Sequence, residues 1–462
     1  MGETRRVVVV GGGLAGLAAA DALASAGIAV TLLEARRGVG GRAASFEDPV
    51  EGCLVDACQH VAMGCCTAFL DLLTRAGLAP SLRVDRTLWF IGPDGRRSAC
   101  TPADWLPAPL HLVPLLGSMR YLSLGERAAL AVGMLRLARL TGPDPSATAA
   151  AWLRSIRQPE RVVRLFWQPL LESALGESLD LVGVRAARKV VVDGFLAHRR
   201  AADLIVPRQP LGELLGERLA HWLVGRGVEI RTGTPVVSVA RSASGAVSGV
   251  VTADGLVPAA AAVVAIPWRA AARLLPELVP SDDDRLSGSP ITAVHLWFDR
   301  DVVDLPHAVL VGRTSQWVFR PDFHGDAGGG GYCQVVISAS RGLCDGDRGR
   351  LVGTVVDELA GVFPAVGRAR LRKSRVVTDP TAVLSVRPGV DAVRPSAVTA
   401  WPGVFLAGDW TATGWPSTME GAVRSGGAAA VAVARHMGVV PTPPVPDLPR
   451  GRITRWLAGA AP

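Results

Sequence analysis

The sequence predicts an α/β protein in which a Rossmann-type domain with a parallel sheet is interleaved with a second domain of mixed helices and β-sheet. Three observations predict this fold. A β-branched strand runs into a glycine-rich turn near the start, a helix and a second strand follow that turn, and further apolar strands recur between residues 227 and 406. At 462 residues with 49% hydrophobic side chains, the chain can bury the cores of two or three domains.

The first strand and its turn have the pattern of a dinucleotide fold. Val7 to Val10 form a continuous β-branched run, which is typical of a strand buried on both faces of a parallel sheet. In the turn that follows, Gly11 permits the tight bend, Gly13 lets the backbone approach a pyrophosphate, and Gly16 lets helix and strand pack closely. The alternative interpretation is a glycine-rich surface turn.

An Ala- and Leu-rich helix comes next and ends near Gly27, and a second strand over residues 28–33 leads to Glu34. The N-terminus of this helix offers N–H groups and the positive end of its dipole to phosphates. Glu34, about twenty residues after the turn, is placed to accept hydrogen bonds from a ribose 2′-hydroxyl. Strand, turn, helix and acidic residue together predict a dinucleotide site.

The stretch EARRGVGGRAAS continues directly from Glu34 through Gly41 and Arg42. It resembles the GG motif of the flavoprotein family that includes monoamine oxidases, protoporphyrinogen oxidase and phytoene desaturases. In that family the arginine matching Arg42 contacts the FAD pyrophosphate, which a planar guanidinium suits. Without that contact, Arg42 would be a solvated loop arginine. The resemblance therefore predicts FAD as the dinucleotide.

Later segments supply more strands. Strands and turns alternate over residues 227–255, and AAVVAIP is a buried strand that Pro267 stops. In similar flavoproteins the backbone matching Val237 holds the adenine, whereas a meander without ligand contact is the alternative. AVHLWF and YCQVVISAS are strands of a substrate domain. We expect an FAD-binding domain at 1–80, 206–289 and 386–437, a substrate-binding domain at 81–205 and 290–385, and a proline-rich tail at 438–462.

Two segments combine apolar and basic side chains. Ser123 and Glu126 predict a capping box for a helix from Leu124 to about Arg139. This helix either packs in the core or forms an apolar substrate entrance that faces lipid. The final RGRITRWLAGAAP is either a basic interfacial anchor or a disordered tail. The residues of that anchor would be Arg450, Arg452, Ile453, Arg455, Trp456 and Leu457.

Charge and cysteine content limit the partners and the compartment. The formal charge of +8 comes almost wholly from scattered arginines, which predicts no nucleic-acid partner and suits anionic headgroups or a phosphate-bearing cofactor. Seven cysteines without paired CxxC motifs predict reduced thiols and no metal site. Glycines and Asp21 within the first apolar run argue against a signal peptide. The sequence has no uninterrupted run of about 18 apolar residues, so we predict no transmembrane helix. We expect a cytoplasmic protein that can lie on the inner face of the plasma membrane.

Two further stretches are expected to reach the flavin ring: VDACQHVAMGCCTAFLDLL at residues 55–73 and LAGDWTATGWPSTMEGAVRSG at residues 406–426. Together they resemble the hydroxysqualene dehydroxylases of bacterial hopanoid synthesis, and the resemblance runs from Arg6 to about His436. It implies that hydroxysqualene loses its allylic hydroxyl, that reduced FAD gives a hydride, and that squalene results. It further implies a long-chain isoprenoid substrate and an external electron donor, either NAD(P)H or a reductase.

The first of these stretches contains the catalytic candidates Asp56, Gln59 and His60. His60 is either the proton donor for the departing hydroxyl or a structural histidine. Asp56 either orients His60 or caps the following loop. Because this group usually has glycine where Cys58 stands, we expect a negative φ there. The complete set of predicted FAD contacts is Gly11, Gly13, Leu14, Ala15, Gly16, Glu34, Ala35, Gly41, Arg42, Gln59, Val237, Gly408, Asp409, Thr418, Met419 and Ala422.

The second stretch is predicted to contact both cofactor and substrate. Gly408 lets the backbone approach the diphosphate, and Asp409 is placed for the ribityl hydroxyls. The helix that begins at Thr418 directs its amides to the N1 side of the flavin. The predicted substrate pocket is an apolar wall formed by Trp410, Trp415 and Pro416. Ordinary core packing is the alternative for the two tryptophans.

Motifs of other catalytic classes are missing from the sequence, which has no GxSxG elbow, no HExxH and no P-loop lysine. A carotenoid-type FAD-dependent desaturase, which abstracts hydride from an isoprenoid, is the first alternative function. An amine oxidase is disfavoured because lysines and tyrosines are nearly absent. A non-catalytic FAD-binding scaffold is the third alternative. No second GxGxxG opens a separate nicotinamide domain.

Overall fold

The computed structural model describes residues 6–48, 52, 54–142, 144–280, 283–324, 330–343 and 346–459. Its strands, in chain order, are β1 (Val7–Val10), β2 (Val30–Leu33), β3 (Ser45–Glu47), β4 (Leu54–Asp56), β5 (Ala62–Met63), β6 (Leu82–Asp85), β7 (Leu88–Ile91), β8 (Arg97–Cys100), β9 (Leu204–Pro207), β10 (Glu229–Arg231), β11 (Val236–Arg241), β12 (Val247–Thr252), β13 (Gly255–Pro258), β14 (Ala261–Val264), β15 (Gly288–Phe298), β16 (His307–Leu310), β17 (Trp317–Phe319), β18 (Tyr332–Ser338), β19 (Leu371–Leu384) and β20 (Val404–Leu406).

The helices, in chain order, are α1 (Leu14–Ser25), α2 (Thr67–Arg75), α3 (Val113–Ser118), α4 (Leu124–Ala138), α5 (Ala149–Ser155), α6 (Glu160–Val162), α7 (Gln168–Leu175), α8 (Val184–Val191), α9 (Leu219–Gly225), α10 (Trp268–Leu274), α11 (Arg348–Ala360), α12 (Met419–His436) and α13 (Arg452–Ala458). Three π-helical segments adjoin them: Val163–Trp167, Val192–Leu196 and Gly212–Arg218. Within the described ranges, no helix combines the length and the apolar character needed to cross a bilayer.

A five-stranded parallel sheet in the order β10-β2-β1-β14-β20 forms the first layer. Its side chains alternate between two cores, as strand geometry requires. Val7 and Val9 face a core that includes residues of α1 and α12, whereas Val8 and Val10 face a second core with Trp268 of α10. The predicted burial of the first strand on both faces is therefore confirmed, and so is the α/β fold class.

The predicted meander over residues 227–255 is present as β11, β12 and β13, which pair antiparallel. The β11–β12 register shifts between Val236 and Ser238, so Val237 is the extra residue of a β-bulge. Its side chain is 66% exposed. Thr234, just before the strand, donates its N–H to the carbonyl of Glu34 at 2.9 Å, which places this bulge near the end of β2.

A seven-stranded mixed sheet in the order β19-β15-β18-β17-β16-β7-β8 forms the second layer. Its pairs are antiparallel except β16 with β7, which run parallel. Val294 and Leu296 on one face share a core with Val355 of α11. On the other face, His295 and Gln334 are opposite each other in the β15–β18 register, and Gln334 contacts the segment after β4.

The predicted capping box of α4 is confirmed. The amide of Glu126 donates to Ser123 Oγ at 3.3 Å, and the amide of Ser123 donates to the Glu126 carboxylate at 2.7 Å. The C-terminal segment is not disordered where it is described. The Arg450 guanidinium is buried and lies 2.7 Å from Asp193, and Thr454 donates its hydroxyl to the carbonyl of Leu196 at 2.6 Å. Of the predicted tail, residues 460–462 lie outside the described ranges.

Candidate functional site

The turn between β1 and α1 forms a cradle that only glycine permits. Gly11 has φ +105°, and a Cβ there would lie 2.5 Å from the carbonyl oxygen of Ala265. A Cβ at Gly16 would lie 1.9 Å from the carbonyl oxygen of Gly11. Gly13 is the N-cap of α1, and it supplies no side-chain hydrogen bond to the first turn. The amides of Leu14 and the next residues therefore face a site without a side-chain cap, which suits a diphosphate.

The GG motif packs directly on this turn. Gly13 and Gly40 form a parallel bridge, and a Cβ at Gly41 would lie 3.0 Å from the Cα of Gly13. Glu34 accepts hydrogen bonds from the amide of Gly12 at 2.6 Å and from the amide of Arg36 at 2.8 Å. The carboxylate, followed by Ala35, therefore lies at the rim of the cradle, where the sequence predicts a ribose.

Arg42 joins the GG motif to the loop after β20. Its Nη2 lies 2.5 Å from Asp409 Oδ1, and its Nη1 donates to the carbonyl of Ala382 at 2.7 Å. The charge of Asp409 raises the pKa of the Arg42 guanidinium further. Ser417 donates its hydroxyl to the other oxygen of Asp409. Two predicted FAD contacts from opposite ends of the chain are thus brought together.

The loop after β20 approaches its neighbours without space for larger residues. Gly408 has φ +142°, and a Cβ there would lie 2.3 Å from Trp410 Nε1. The Gly408 amide donates to Ser425 Oγ at 2.8 Å. Thr418 caps α12 by accepting from the amide of Gly421 at 3.2 Å, and Met419 begins the helix.

The first turn of α12, which belongs to the stretch 406–426, also holds the stretch 55–73. Ala422 donates its amide to the carbonyl of Thr418 at 2.9 Å and so closes the turn. Glu420 is fully buried, and its carboxylate accepts from the amides of Ala68 and Phe69 at 3.0 and 2.8 Å. This carboxylate therefore caps α2, because anions are stabilised at helix N-termini. The stretches 55–73 and 406–426 consequently pack on each other.

His60 lies in the loop between β4 and β5. Its Nδ1 is 2.7 Å from the carbonyl oxygen of Cys58, and because a carbonyl only accepts, Nδ1 carries the proton and Nε2 the lone pair. Burial lowers the pKa of His60, and the positive charge of Arg42 lowers it further. The imidazole is therefore neutral around pH 7, so the protonated form that an acid catalyst requires is a minor species.

Cys58 fits this loop without left-handed backbone, since the described non-glycine residues with positive φ are Arg157 and Ala339. The expectation of a negative φ at Cys58 is confirmed. Burial raises the pKa of its thiol to about 12, so Cys58 is a neutral thiol and not a nucleophile.

The described hydrogen bonds of the Asp56 carboxylate support neither alternative for this residue, orientation of His60 or capping of the following loop. Its Oδ1 accepts from Ser45 Oγ at 2.5 Å and from the amide of Leu211 at 2.8 Å, at the start of the helical segment that leads into α9. The carboxylate is buried, and among the residues that the structure describes Oδ2 has no hydrogen-bond partner. Desolvation raises the pKa of Asp56 to about 6, although these hydrogen bonds oppose the shift.

Gln59 is held by the seven-stranded mixed sheet. Its amide donates to Gln334 Oε1, and its side-chain Nε2 donates to the carbonyl of His60 at 3.2 Å. Gln334 Nε2 lies 3.3 Å from the carbonyl oxygen of Asp56 and 3.0 Å from His295 Nδ1. The buried side-chain amide of Gln334 thus fixes the segment Asp56 to Gln59, which immediately precedes His60.

The structure contradicts the prediction that Trp410 lines an apolar wall. Trp410 is 0% exposed, donates its indole N–H to the carbonyl of Ile266 at 2.9 Å, and shares a core with Val10 and Val264. Burial of this indole is favourable, because the apolar ring leaves water while the N–H keeps a hydrogen-bond partner.

Trp415 and Pro416 are also buried. The Trp415 ring shares a cluster with Cys65 and Ala201, and it lies 4.3 Å from Lys189 Nζ and 5.0 Å from the Arg424 guanidinium. Both cations are placed for cation–π contact with the indole. The role of Trp415 and Pro416 in a substrate pocket stays a prediction.

Comparison with known proteins adds the family. A model of the family described as flavin containing amine oxidoreductase matches residues 14–434. The chain belongs to this family. Members of the flavin-containing amine oxidoreductase family carry a flavin, and the prediction of FAD is confirmed at this level. The chain is a flavin-dependent oxidoreductase.

Curated relatives match over most of this chain. The chain is 29% identical over 438 residues to a hydroxysqualene dehydroxylase from Rhodopseudomonas palustris, covering 92% of this chain and 98% of the relative. A hydroxysqualene dehydroxylase from Sinorhizobium fredii is 29% identical over 447 residues, covering 92% and 97%. The 15-cis-phytoene desaturase of Solanum lycopersicum is 25% identical over 452 residues, covering 92% and 77%. The resemblance found in the sequence is confirmed.

Solved structures of flavin oxidoreductases share the fold. Cyclohexylamine oxidase from Brevibacterium oxydans matches with a TM-score of 0.69 and 19% identity, covering 94% of this chain and 100% of that chain. An oxidoreductase from Methanosarcina mazei matches with a TM-score of 0.69 and 17% identity, covering 91% and 98%. The residues described above fit a flavin dinucleotide. The glycine cradle, Glu34 and Arg42 offer it amide, carboxylate and guanidinium groups.

Three residues of this flavoprotein site were not predicted from the sequence. Arg394 is buried and donates to the carbonyls of Trp415 and Asp409 at 2.7 and 2.9 Å, so it fixes the loop after β20 from inside. Gln334 and His295 lie opposite each other on β18 and β15 of the seven-stranded sheet. Gln334 interrupts the apolar strand YCQVVIS, and a polar residue within a buried strand is the signal that could have identified it. Arg394 has no comparable signal.

Proposed function

We propose that this protein reductively removes the hydroxyl of hydroxysqualene to give squalene. The observation that carries the proposal is the similarity to two bacterial hydroxysqualene dehydroxylases over 92% of this chain and 97–98% of theirs. The packing of α2 on α12 through Glu420 adds support, because it joins the two stretches on which that resemblance was first based.

The balanced reaction replaces a C–O bond by a C–H bond and releases water. A bound, reduced flavin supplies the electron pair. The chain must then deliver a proton to the departing oxygen and exclude other reactions. We assign the proton to His60 Nε2, because Nδ1 is committed to Cys58 and only Nε2 can face a substrate. Because the pKa of His60 is lowered, the protonated imidazole becomes more populated only as the pH falls. The step should therefore become faster at lower pH.

The positioning residues have separate tasks in this proposal. Gln59 and Gln334 fix the backbone on both sides of His60, and Arg42 with Asp409 fixes the loop after β20. We further propose that NAD(P)H or a reductase supplies the electrons.

One experiment tests the direction of the chemistry. Enzyme photoreduced without oxygen is mixed with hydroxysqualene while the flavin spectrum is recorded, and the products are identified by mass spectrometry. We expect reoxidation of the flavin with formation of squalene in equal amount. A flavin that stays reduced, with hydroxysqualene recovered unchanged, would contradict the proposal.

A second candidate is a carotenoid-type desaturase, favoured by the similarity to 15-cis-phytoene desaturase over 92% of the chain. In that case oxidised enzyme would be reduced by phytoene or squalene. An amine oxidase is less favoured. The sequence has two lysines, and Lys189 pairs with Asp193 at 3.1 Å while Lys373 pairs with buried Asp48.

A further inference from the structure

Helix α4 presents an apolar stripe to solvent. Leu124, Ala128, Val132 and Leu135 are exposed, and their spacing places them on one side of the helix. Leu124 alone is 81% exposed. The opposite side is apolar too and packs inward through Leu130 and other residues. A surface helix normally exposes polar residues, so this helix has the composition of a buried one without a partner on its outer side.

The segment before α4 continues this apolar surface. Trp105 is 80% exposed, and Val113 in α3 is also exposed. The Arg127 guanidinium of α4 donates to the carbonyls of Gly117 and Met119 at 3.2 and 3.1 Å. The loop and the helix are therefore fixed to each other.

Helix α13 completes the surface from the other end of the chain. Trp456 is 77% exposed, and the Arg139 guanidinium lies 5.2 Å from its ring. Arg188 donates to the carbonyls of Ala138 and Ala458, both at 3.0 Å, and so ties the ends of α4 and α13 together. We call the exposed residues Trp105, Val113, Leu124, Val132, Leu135 and Trp456 the apolar platform.

The charges around the apolar platform are mainly positive. Its exposed arginines are Arg120, Arg136, Arg139, Arg452 and Arg455. Residues 104–139 and 451–459 contain only two carboxylates, Asp104 and Glu126. Asp104 pairs with Arg86, and Glu126 lies 3.1 Å from Arg161, so both are neutralised by arginines outside the platform. The surface thus offers unopposed positive charge beside apolar side chains.

We propose that the apolar platform docks on the surface of an anionic phospholipid bilayer. Apolar side chains beside arginines, with tryptophans at the margin, match an interface in which acyl chains lie beneath anionic headgroups. Helix α4 lies in the plane of the interface, and α13 adds a second point of attachment. The proposal concerns attachment only and does not depend on the reaction catalysed.

Vesicle binding tests the role of the apolar side chains. The flavin-loaded protein is sedimented with vesicles of phosphatidylcholine alone or with about 30% phosphatidylglycerol, which gives the vesicles an anionic surface. We expect binding to the mixed vesicles and about ten-fold weaker binding of a Leu124→Glu/Leu135→Glu variant. The matched control is Val224→Glu/Leu256→Glu, which changes exposed apolar residues elsewhere and should bind like wild type.

Charge reversal tests the arginines. Arg452→Glu/Arg455→Glu should weaken binding to the mixed vesicles at least about 20-fold, since each arginine near an anionic surface contributes about five-fold. Arg348→Glu/Arg350→Glu, with both residues exposed on α11, is the control for net charge. Added salt should weaken binding of wild type and control alike.

Three outcomes would overturn the proposal. The first is equal binding of platform and control variants with unchanged flavin content. The second is binding that ignores phosphatidylglycerol and salt. The third is a dimer in light scattering that Leu124→Glu/Leu135→Glu converts to monomer without any vesicle binding by wild type, because the platform would then be a contact between two copies of the chain.

Discussion

Arg42 Nη2 and Asp409 Oδ1 lie 2.5 Å apart, although 367 positions separate the two residues in sequence. This ion pair connects the glycine-rich motif after β2 with the loop after β20. The Asp409 side chain is nearly buried, whereas that of Arg42 is 38% exposed. The pair therefore locates the point at which both ends of the chain meet the cofactor site.

Asp409→Asn should weaken FAD retention and destabilise the apoprotein by about 1.5–3 kcal/mol, since it removes a charge-assisted hydrogen bond. Bound flavin measured by absorbance, and the unfolding free energy of the apoprotein, give the two readouts. Asp283→Asn is a suitable control, because it breaks only a local surface pair with Arg285 and should leave flavin retention and stability close to those of wild type. Full flavin retention by Asp409→Asn would show that the pair is irrelevant to the cofactor.

His60→Gln should retain flavin but lose turnover by about 10²-fold or more, because the glutamine cannot donate the proton. The wild-type rate should rise as the pH falls through the lowered pKa of His60, since only the protonated imidazole is competent. This acid-side rise should vanish in His60→Gln. A variant with the wild-type rate and pH profile would assign His60 a structural role.

Asp56 should make stability depend on pH. Its folded-state pKa of about 6 lies above the ordinary 3.8, so the folded protein binds an extra proton between these values. This contribution is complete below pH 3.8 and is lost as the pH rises through about 6. Asp56→Asn removes the dependence, so wild type should lose roughly 3 kcal/mol relative to this variant across that interval. Denaturant unfolding at several pH values measures this difference. If the unfolding free energies of wild type and variant changed in parallel with pH, Asp56 would not be the source of the dependence.

Trp410→Phe should destabilise the protein by about 1–3 kcal/mol, because the carbonyl of Ile266 loses its buried donor. The KM for hydroxysqualene should stay unchanged, since Trp410 is inside the core and not in a pocket. Steady-state kinetics and thermal unfolding separate the two effects. A raised KM with unaltered stability would show that Trp410 contacts the substrate.

Features encoded by neighbours in sequence were predictable. The strand Val7–Val10, its glycine turn and the capping box of Ser123 and Glu126 depend on residues a few positions apart, and the structure has all of them. The GG motif pointed to a flavin in the same way, and the family confirms it.

Features encoded by distant partners were not predictable. Asp56 was expected either to orient His60 or to cap the following loop, but its partner Leu211 is 155 positions away. Trp410 was expected either to face a ligand or to pack in the core. Its indole N–H donates to the carbonyl of Ile266, which lies 144 positions earlier. Arg450 belongs to a segment with an ambiguous sequence, and its pairing with Asp193 is what orders that segment. Single side chains choose such partners only after the sheets have assembled.

The parallel sheet is finished by β20, which is supplied near the end of the chain, and Asp409 follows immediately. A cofactor site with both motifs can therefore form only after synthesis has passed Asp409. Chains truncated before Val404 should neither retain flavin nor gain protease resistance from it.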